Sequence, residues 1–399
     1  MFGLDTLLSP LSSDEFLQKY WGKKAVLIPG EEAKFEDLFG WEDVNNIVNN
    51  SGPGFSALRL IHEKKGLPHE EFQRLADWLA KGATLGINHV DTIDPIVGRF
   101  ADVLARDLNT HVNINSYVSC PAKQAFDLHF DEHDVFAVQL AGTKKWRVFE
   151  PTMTHPLHAQ NLNHKGKPPE TEPYIAADMT PGDVLYLPRG HWHYALAITP
   201  CIHFAVGPAS RSSAEFLFWL TRQLMDGEEF FRQDIPVARS EHLGGDQPKE
   251  YLEENLSELR SRMKELLESD ALQEAVIRYT MTTNPTRRNH QLPLTWSVVE
   301  EFDEDTRWRV PSEQKLLIRF DEEEKWAVVH TRGQMVNVQG VTPQLLSQVF
   351  SGPGATFCCR ELLTASPDIA WPKLRQSIAE MYKLGLLLFE GTDGTKIDP

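Results

Sequence analysis

Hydrophobic and polar positions change rhythm several times along the chain. In the first hundred residues apolar side chains recur at helical intervals. Phe16, Tyr20 and Trp21 follow Ser12 and Glu15, which have the spacing of a capping box. AVLIP at 25–29 is a short apolar run ended by proline and suits a strand, whereas Asn50-Ser51-Gly52-Pro53-Gly54 is a loop. The run HEEFQRLADWLAKG (69–82) predicts a helix closed by Gly82. This region reads as mixed, largely helical scaffolding.

From about 109 the pattern shortens to strands separated by turns: 111–118, 126–130, 134–140, 144–149, 184–187, 192–198 and 202–206. Gly142 punctuates one hairpin and Pro181-Gly182-Asp183 another, and many short strands at this spacing predict a sandwich or barrel, the jelly roll included. The polar, proline-bearing stretch 161–174 is a long surface loop. After 209 the chain turns helical. Residues 213–226 carry apolar side chains on more than one face, which predicts burial on both sides or an oligomer contact. A polar stretch with Gly244-Gly245 and Pro248 then leads into a charged helix over 250–268, with one apolar stripe at Leu252, Leu256, Leu259, Met263 and Leu266. A second linker, 281–295, precedes strands at 315–320, 326–330 and 335–340, helices beginning near Pro343 and Pro372, and a closing GLLLFEG. Helix–helix–strand units of this kind suggest a winged-helix module, here without a basic recognition helix. It reads as an interaction or packing domain. No fixed-period repeat is present.

Composition adds bounds more than chemistry. The 399 residues imply two or three domains, and 41% hydrophobic with 24% charged residues is ordinary for globular chains. No apolar run reaches the roughly 18–20 residues of a membrane span, and the N-terminus lacks a basic region followed by an apolar core, so a soluble, cytoplasmic protein is expected. Against 57 acidic residues stand 40 basic ones, a net charge of −17 that disfavours phosphate backbones and favours a basic protein partner. Thirteen acidic and six basic residues lie between 226 and 270, so much of the excess falls in the helical region, where a solvated helix face accounts for it. Cys120, Cys201, Cys358 and Cys359 show no metal or disulfide spacing and read as structural thiols.

The histidines change the picture. Eight of fifteen fall between 129 and 203, inside the β region. His129 and Asp131 stand at i and i+2, which on an extended segment share one face. Some sixty residues on, Pro181 to His193 forms a turn, a buried strand and a strand bearing His191 and His193, either of which could supply a third ligand. Two neutral imidazoles and one carboxylate leave three open positions, the facial arrangement suited to non-haem Fe(II). A closed zinc site would more often use four ligands with cysteine among them.

HFDEHDVFAVQLAGTKKWRVFEP (129–151) followed by PGDVLYLPRGHWHYA (181–195) resembles the cupin-4 group of JmjC-type Fe(II)/2-oxoglutarate oxygenases, the ribosomal oxygenases. FLQKYWGKKAVLIPG (16–30), the helical insert and the winged-helix-like end match that family's domain order. The resemblance is strong over 109–207 and weak after 225. It implies an α+β protein with a double-stranded β-helix: a flanking region over 1–95, a JmjC/cupin catalytic domain over 96–208, a helical dimerisation region over 209–285 and a winged-helix-like domain over 286–399. It implies His129, Asp131 and His193 as metal ligands and catalytic centre, with His193 preferred to His191 by its spacing from Pro188. Lys144 matches the cation that holds the distal carboxylate of 2-oxoglutarate, and Lys145 alternates away to solvent. Asn115 matches an asparagine at the cosubstrate's other end, and Tyr117 shares its strand face. His203 is either a core histidine or a hydrogen-bonding pocket residue. Ala205 and Gly207 depart from the family's hydroxylated side chains, which leaves the chelating end of the cosubstrate without an assigned partner. His133 and Asp134 follow the triad motif and either contact substrate or, as expected here, lie at the surface, and Trp146 and Trp192 are expected as core aromatics rather than substrate platforms.

The resemblance thus implies a dioxygenase using Fe(II), 2-oxoglutarate and O2 to hydroxylate an arginine or histidine side chain of a ribosomal protein. A homodimer is implied, with no membrane partner and no direct DNA binding. Rival readings are a hydroxylase of a small peptide or a tRNA base, a lysine demethylase, and a non-catalytic metal-binding cupin that acts through interactions.

Overall fold

The computed structural model describes residues 2–52, 55–63, 65–121, 127–157, 167–234, 248–282, 291, 302–312, 316–321, 326–331, 334–339 and 341–392. The Gly244-Gly245 stretch, most of the second linker and part of the loop over 161–174 lie outside the described residues. Two compact units divide the chain, Met1–Ser210 and Arg211–Pro399.

The first unit is a sandwich of two antiparallel sheets. Its first four strands come from the region expected to be scaffolding: β1 (Val26–Ile28), β2 (Leu58–His62), β3 (Lys65–Gly66) and β4 (Thr84–Ile87). The rest are β5 (Val112–Ser119), β6 (Val135–Ala141), β7 (Lys144–Phe149), β8 (Ile175–Met179), β9 (Val184–Leu187), β10 (Trp192–Ala197) and β11 (Cys201–Pro208). The larger sheet runs β1-β9-β6-β11-β5-β4-β2-β3 and the smaller β10-β7-β8, a jelly-roll core extended along one edge by the N-terminal strands. Leu85 pairs with Val118, which fuses the N-terminal strands to the core.

Most expected strands are present within a residue or two. Of FDLHF (126–130), Phe126 lies outside the described residues and 127–130 form no strand: among them only His129 pairs, as an isolated antiparallel bridge with His193. The run 69–82 is not one helix either, but a 3-10 turn over His69–Arg74 followed by an α-helix over Leu75–Ala80, with Gly82 beyond it at φ 87. Ser12 caps the helix Ser13–Lys19, its hydroxyl accepting from the Glu15 amide at 3.2 Å. This helix buries Phe16 completely, and the Phe16 ring meets Tyr186 edge-on at 4.8 Å, nailing the N-terminus to β9. Gly142, at φ 65, lets the β6–β7 hairpin pass against the backbone near Pro200. A Cβ there would stand 2.0 Å from the Pro200 carbonyl oxygen.

In the second unit, helix Ser213–Gly227 begins with a reciprocal capping box: Ser212 Oγ accepts from the Glu215 amide, and Glu215 accepts from the Ser212 amide at 2.7 Å. The expected burial on both sides is not found. Only Leu220 is buried, while Phe218 is 74% and Leu217 52% exposed. Helices Pro248–Glu268 and Asp270–Thr282 follow. The C-terminal part joins β12 (Thr306–Arg309), a meander of β13 (Leu316–Asp321), β14 (Trp326–Thr331) and β15 (Gln334–Gln339), helix Pro343–Val349, β16 (Thr356–Cys358), helices Cys359–Ala365 and Trp371–Lys383, and β17 (Leu388–Thr392). From Pro343 onward the order helix, strand, helix, helix, strand is that of a winged helix. Its core centres on the fully buried Trp308, packed by Phe302 and Tyr382. Among the described residues no helix is long and apolar enough to cross a membrane.

Candidate metal centre and its cavity

Between the two sheets of the first unit lies a cavity of about 320 Å³, at the lower end of the range for small-molecule sites. Strand alternation builds its wall. Asn113, Asn115, Tyr117 and Ser119 occupy every second position of β5, and across the ladder Gly207 pairs with Asn113, Ala205 with Asn115 and His203 with Tyr117. Lys144 and Trp146 face them from β7 of the smaller sheet.

His129, Asp131 and His193 converge on this cavity, their ligand atoms all within 4.8 Å of one another. His193 Nε2 lies 3.6 Å from one Asp131 oxygen and His129 Nε2 4.0 Å from the other. The second nitrogen of each ring is already committed. His129 Nδ1 donates to the Asp127 carbonyl at 2.7 Å and His193 Nδ1 to the His191 carbonyl at 3.0 Å. A carbonyl can only accept, so both rings carry their proton on Nδ1 and present an Nε2 lone pair to the common point. Burial and the neighbouring His129 hold the His193 pKa below the ordinary imidazole value, which keeps it neutral. The two histidine backbones also bond each other, His193 N–H to His129 O at 2.7 Å and His129 N–H to His193 O at 3.1 Å.

Lys144 sits at the deep end, 6% exposed. Its ammonium lies 3.2 Å from His203 Nδ1 and 3.4 Å from Ser119 Oγ, and among the described residues no carboxylate pairs with it. Burial lowers its pKa to about 8, with the Cys201 thiol offsetting part of the fall. His203 lines the cavity, its ring stacked on Tyr117 at 5.3 Å, and its pKa falls well below the imidazole range through burial first and Lys144 second. Tyr117 is raised by burial and by the Asp131 charge, so its hydroxyl stays protonated. Asn115 lines the cavity with its carbonyl oxygen taken by the His89 amide at 2.9 Å.

His191 turns away from the triad and contacts the Tyr174 hydroxyl through Nδ1 at 2.7 Å. The surface placement expected for His133 and Asp134 is corrected. His133 lines the cavity beside Gly207, and Asp134 is buried, accepting from the Tyr186 hydroxyl at 2.6 Å and the Arg189 amide at 2.9 Å. Trp146 is both core and cavity wall, and Trp192 is core, its indole N–H bonded to Thr152. Lys145 pairs with Leu196 on the opposite face and is partly exposed. Asn113, Ser119 and Thr84 also line the cavity and escaped the sequence reading. The two on β5 could have been found from its two-residue period once Asn115 and Tyr117 were placed.

A jelly roll holding two histidines and an aspartate in this arrangement is the architecture of JmjC proteins, and residues 88–216 match the family model of the JmjC domain. That stretch is therefore similar to a JmjC domain, and ribosomal oxygenases are among the proteins the chain resembles. It is 28% identical over 216 residues to the uncharacterized protein YxbC of Bacillus subtilis (strain 168), covering 48% of this chain and 66% of that one. With ribosomal oxygenase 1 of Homo sapiens it shares 28% identity over 199 residues, covering 47% of this chain and 31% of the relative. The chain thus spans from about a third to just under two thirds of these relatives' lengths. The crystal structure of the Escherichia coli ribosomal oxygenase YcfD superposes with a TM-score of 0.62 at 17% identity, over 95% of this chain and 98% of that one. The YcfD structure in complex with cobalt and 2-oxoglutarate superposes at 0.59 with 17% identity, over 96% and 99%.

Proposed function

We propose that this protein is an Fe(II)- and 2-oxoglutarate-dependent dioxygenase that hydroxylates an arginine or histidine side chain of a ribosomal protein. One observation carries the reading: a His129–Asp131–His193 donor set shares a cavity with a buried lysine that no carboxylate among the described residues neutralises. The donor set fits a hard to borderline divalent ion, with two tautomer-fixed imidazoles, one carboxylate and room for further ligands. The cation fits the far carboxylate of a dicarboxylate whose near end reaches the metal.

In this reading bound iron supplies the activation of O2 coupled to oxidative decarboxylation of the 2-oxo acid. The chain does the rest. Lys144 anchors and orients the cosubstrate, and the apolar surfaces of Trp146, Val135 and Ala205 exclude water. The Nδ1–carbonyl bonds hold His129 and His193 to one tautomer. Asn115 and Tyr117 stand on the wall between anchor and metal. The names of the relatives and of the structural neighbour support a ribosomal substrate, and the charge of −17 suits a basic one. The exposed Leu217, Phe218 and Met225 on helix Ser213–Gly227 support a homodimer, and a cytoplasmic location follows from that substrate.

The test is incubation of the Fe(II)-loaded protein with 2-oxoglutarate and purified ribosomal proteins, with succinate release and intact mass as readouts. A gain of one oxygen atom on one ribosomal protein, absent with His193→Ala, is expected. Succinate without any modified ribosomal protein would move the substrate to peptides or RNA. Metal binding with no 2-oxoglutarate turnover under any condition would leave a binding protein.

A further inference from the structure

A lysine ammonium ordinarily tumbles through many rotamers, its three donors pointing wherever water takes them. At Lys144 two of the three are directed. One meets His203 Nδ1 at 3.2 Å and a second meets Ser119 Oγ at 3.4 Å, itself 3.1 Å from the Thr84 hydroxyl. The first contact admits only one sense. An ammonium has no lone pair, so Nδ1 must accept, which puts the imidazole proton on Nε2. An imidazolium there would set two cations at hydrogen-bond distance in a dry site, and burial together with Lys144 keeps the ring neutral.

The ring cannot swing away. Tyr117 stacks on it at 5.3 Å with an interplanar angle of 21°, and Trp146 meets it edge-on at 5.7 Å. Among the described residues the groups at the ammonium are Cys201 and His203 from β11 and Ser119 from β5, with Thr84 of β4 behind it, and none is a carboxylate.

We propose that His203 is a positioning residue. As a fixed neutral acceptor it holds the Lys144 ammonium in one orientation, so that the remaining N–H points into the cavity at the distal carboxylate of the dicarboxylate cosubstrate. This rests on the reading of the site given above and adds a residue that acts on the cosubstrate through Lys144. It also separates two functions of the cavity. The 2-oxo acid end is bound near the triad, and only the far carboxylate senses His203.

The experiment titrates the Fe(II)-loaded full chain, without oxygen, with 2-oxoglutarate and with 2-oxopentanoate, the same carbon chain lacking the distal carboxylate. Because one hydrogen bond to a charged group is at stake, His203→Ala should weaken 2-oxoglutarate about tenfold and leave 2-oxopentanoate within about twofold. His203→Asn places an acceptor oxygen where Nδ1 stood and should return 2-oxoglutarate affinity to within about threefold of wild type. Iron stoichiometry should not change in either variant. Undiminished 2-oxoglutarate affinity in His203→Ala, equal loss of both ligands, or an asparagine variant as weak as alanine would each overturn the proposal. Wild-type protein that binds no 2-oxoglutarate would overturn it together with the assignment of the cosubstrate, whereas the other three leave that assignment standing.

Discussion

Replacing Lys144 with methionine tests the site in two directions at once. The side chain keeps most of its apolar stem and loses its charge. Among the described residues the ammonium has no carboxylate partner, and burial drops its pKa from 10.5 to about 8, which corresponds to a cost of about 3 kcal/mol for carrying the proton in the folded state. The apoprotein of Lys144→Met should therefore be more stable than wild type at pH 7, by up to about 3 kcal/mol. The sign with pH follows from a depressed folded pKa. Below about 8 the lysine is protonated folded and unfolded and the full cost stands. Between there and 10.5 the unfolded chain binds the extra proton, so wild-type stability climbs and the gap closes. 2-Oxoglutarate at about a thousandfold excess over Kd reverses the order, since it adds about 4.1 kcal/mol to wild type and little to a variant that cannot hold the carboxylate. Urea denaturation followed by hydrogen exchange of peptides spanning 144–149 reads the jelly-roll unit alone. A methionine variant less stable than wild type at pH 7 without ligand, or one stabilised equally by 2-oxoglutarate, would refute the unpaired-cation argument.

Two further outcomes follow from packing. Asp134→Ala removes the acceptor of both the Tyr186 hydroxyl and the Arg189 amide in a buried setting and should cost about 2–4 kcal/mol in urea denaturation, with Asp134→Asn milder because one acceptor survives. Phe218→Glu places a charge on the exposed apolar face of helix Ser213–Gly227, and light scattering should find it monomeric where wild type is dimeric; a monomeric wild type would remove the homodimer from the proposal.

Strands whose pattern is local were legible in the sequence. β6, β7 and β9 are short runs bounded by Gly142 and Pro181-Gly182, and they stand where the pattern put them. Strands whose role is set by distant partners were not. LRLIH (58–62) and TLGI (84–87) are too short for their pattern to distinguish them from a helical neighbourhood, and pairing of β2 with β4 and of β4 with β5 makes them part of the sheet. FDLHF differs for the converse reason: it has strand-like composition, but among its described residues, 127–130, only His129 meets a partner. In the site, His129, Asp131 and His193 were visible as residue types at a spacing, whereas the burial of Asp134 was not, because its hydroxyl donor lies 52 residues on, at Tyr186. His203 was left between core and pocket until its contact with Lys144 gave it a partner.

The isolated bridge between His129 and His193 bears on which ion the protein carries. Because two main chains and not two side-chain rotamers fix the distance between the rings, the pair acts as one chelator with a preset bite, and loading it requires little further ordering. A bite held by peptide hydrogen bonds cannot readily expand or contract to discriminate among similar first-row divalent ions. Identity of the bound metal then falls to the metal supply, and under the function proposed above a preparation made in cobalt- or nickel-rich medium is expected to be filled and inactive, not empty.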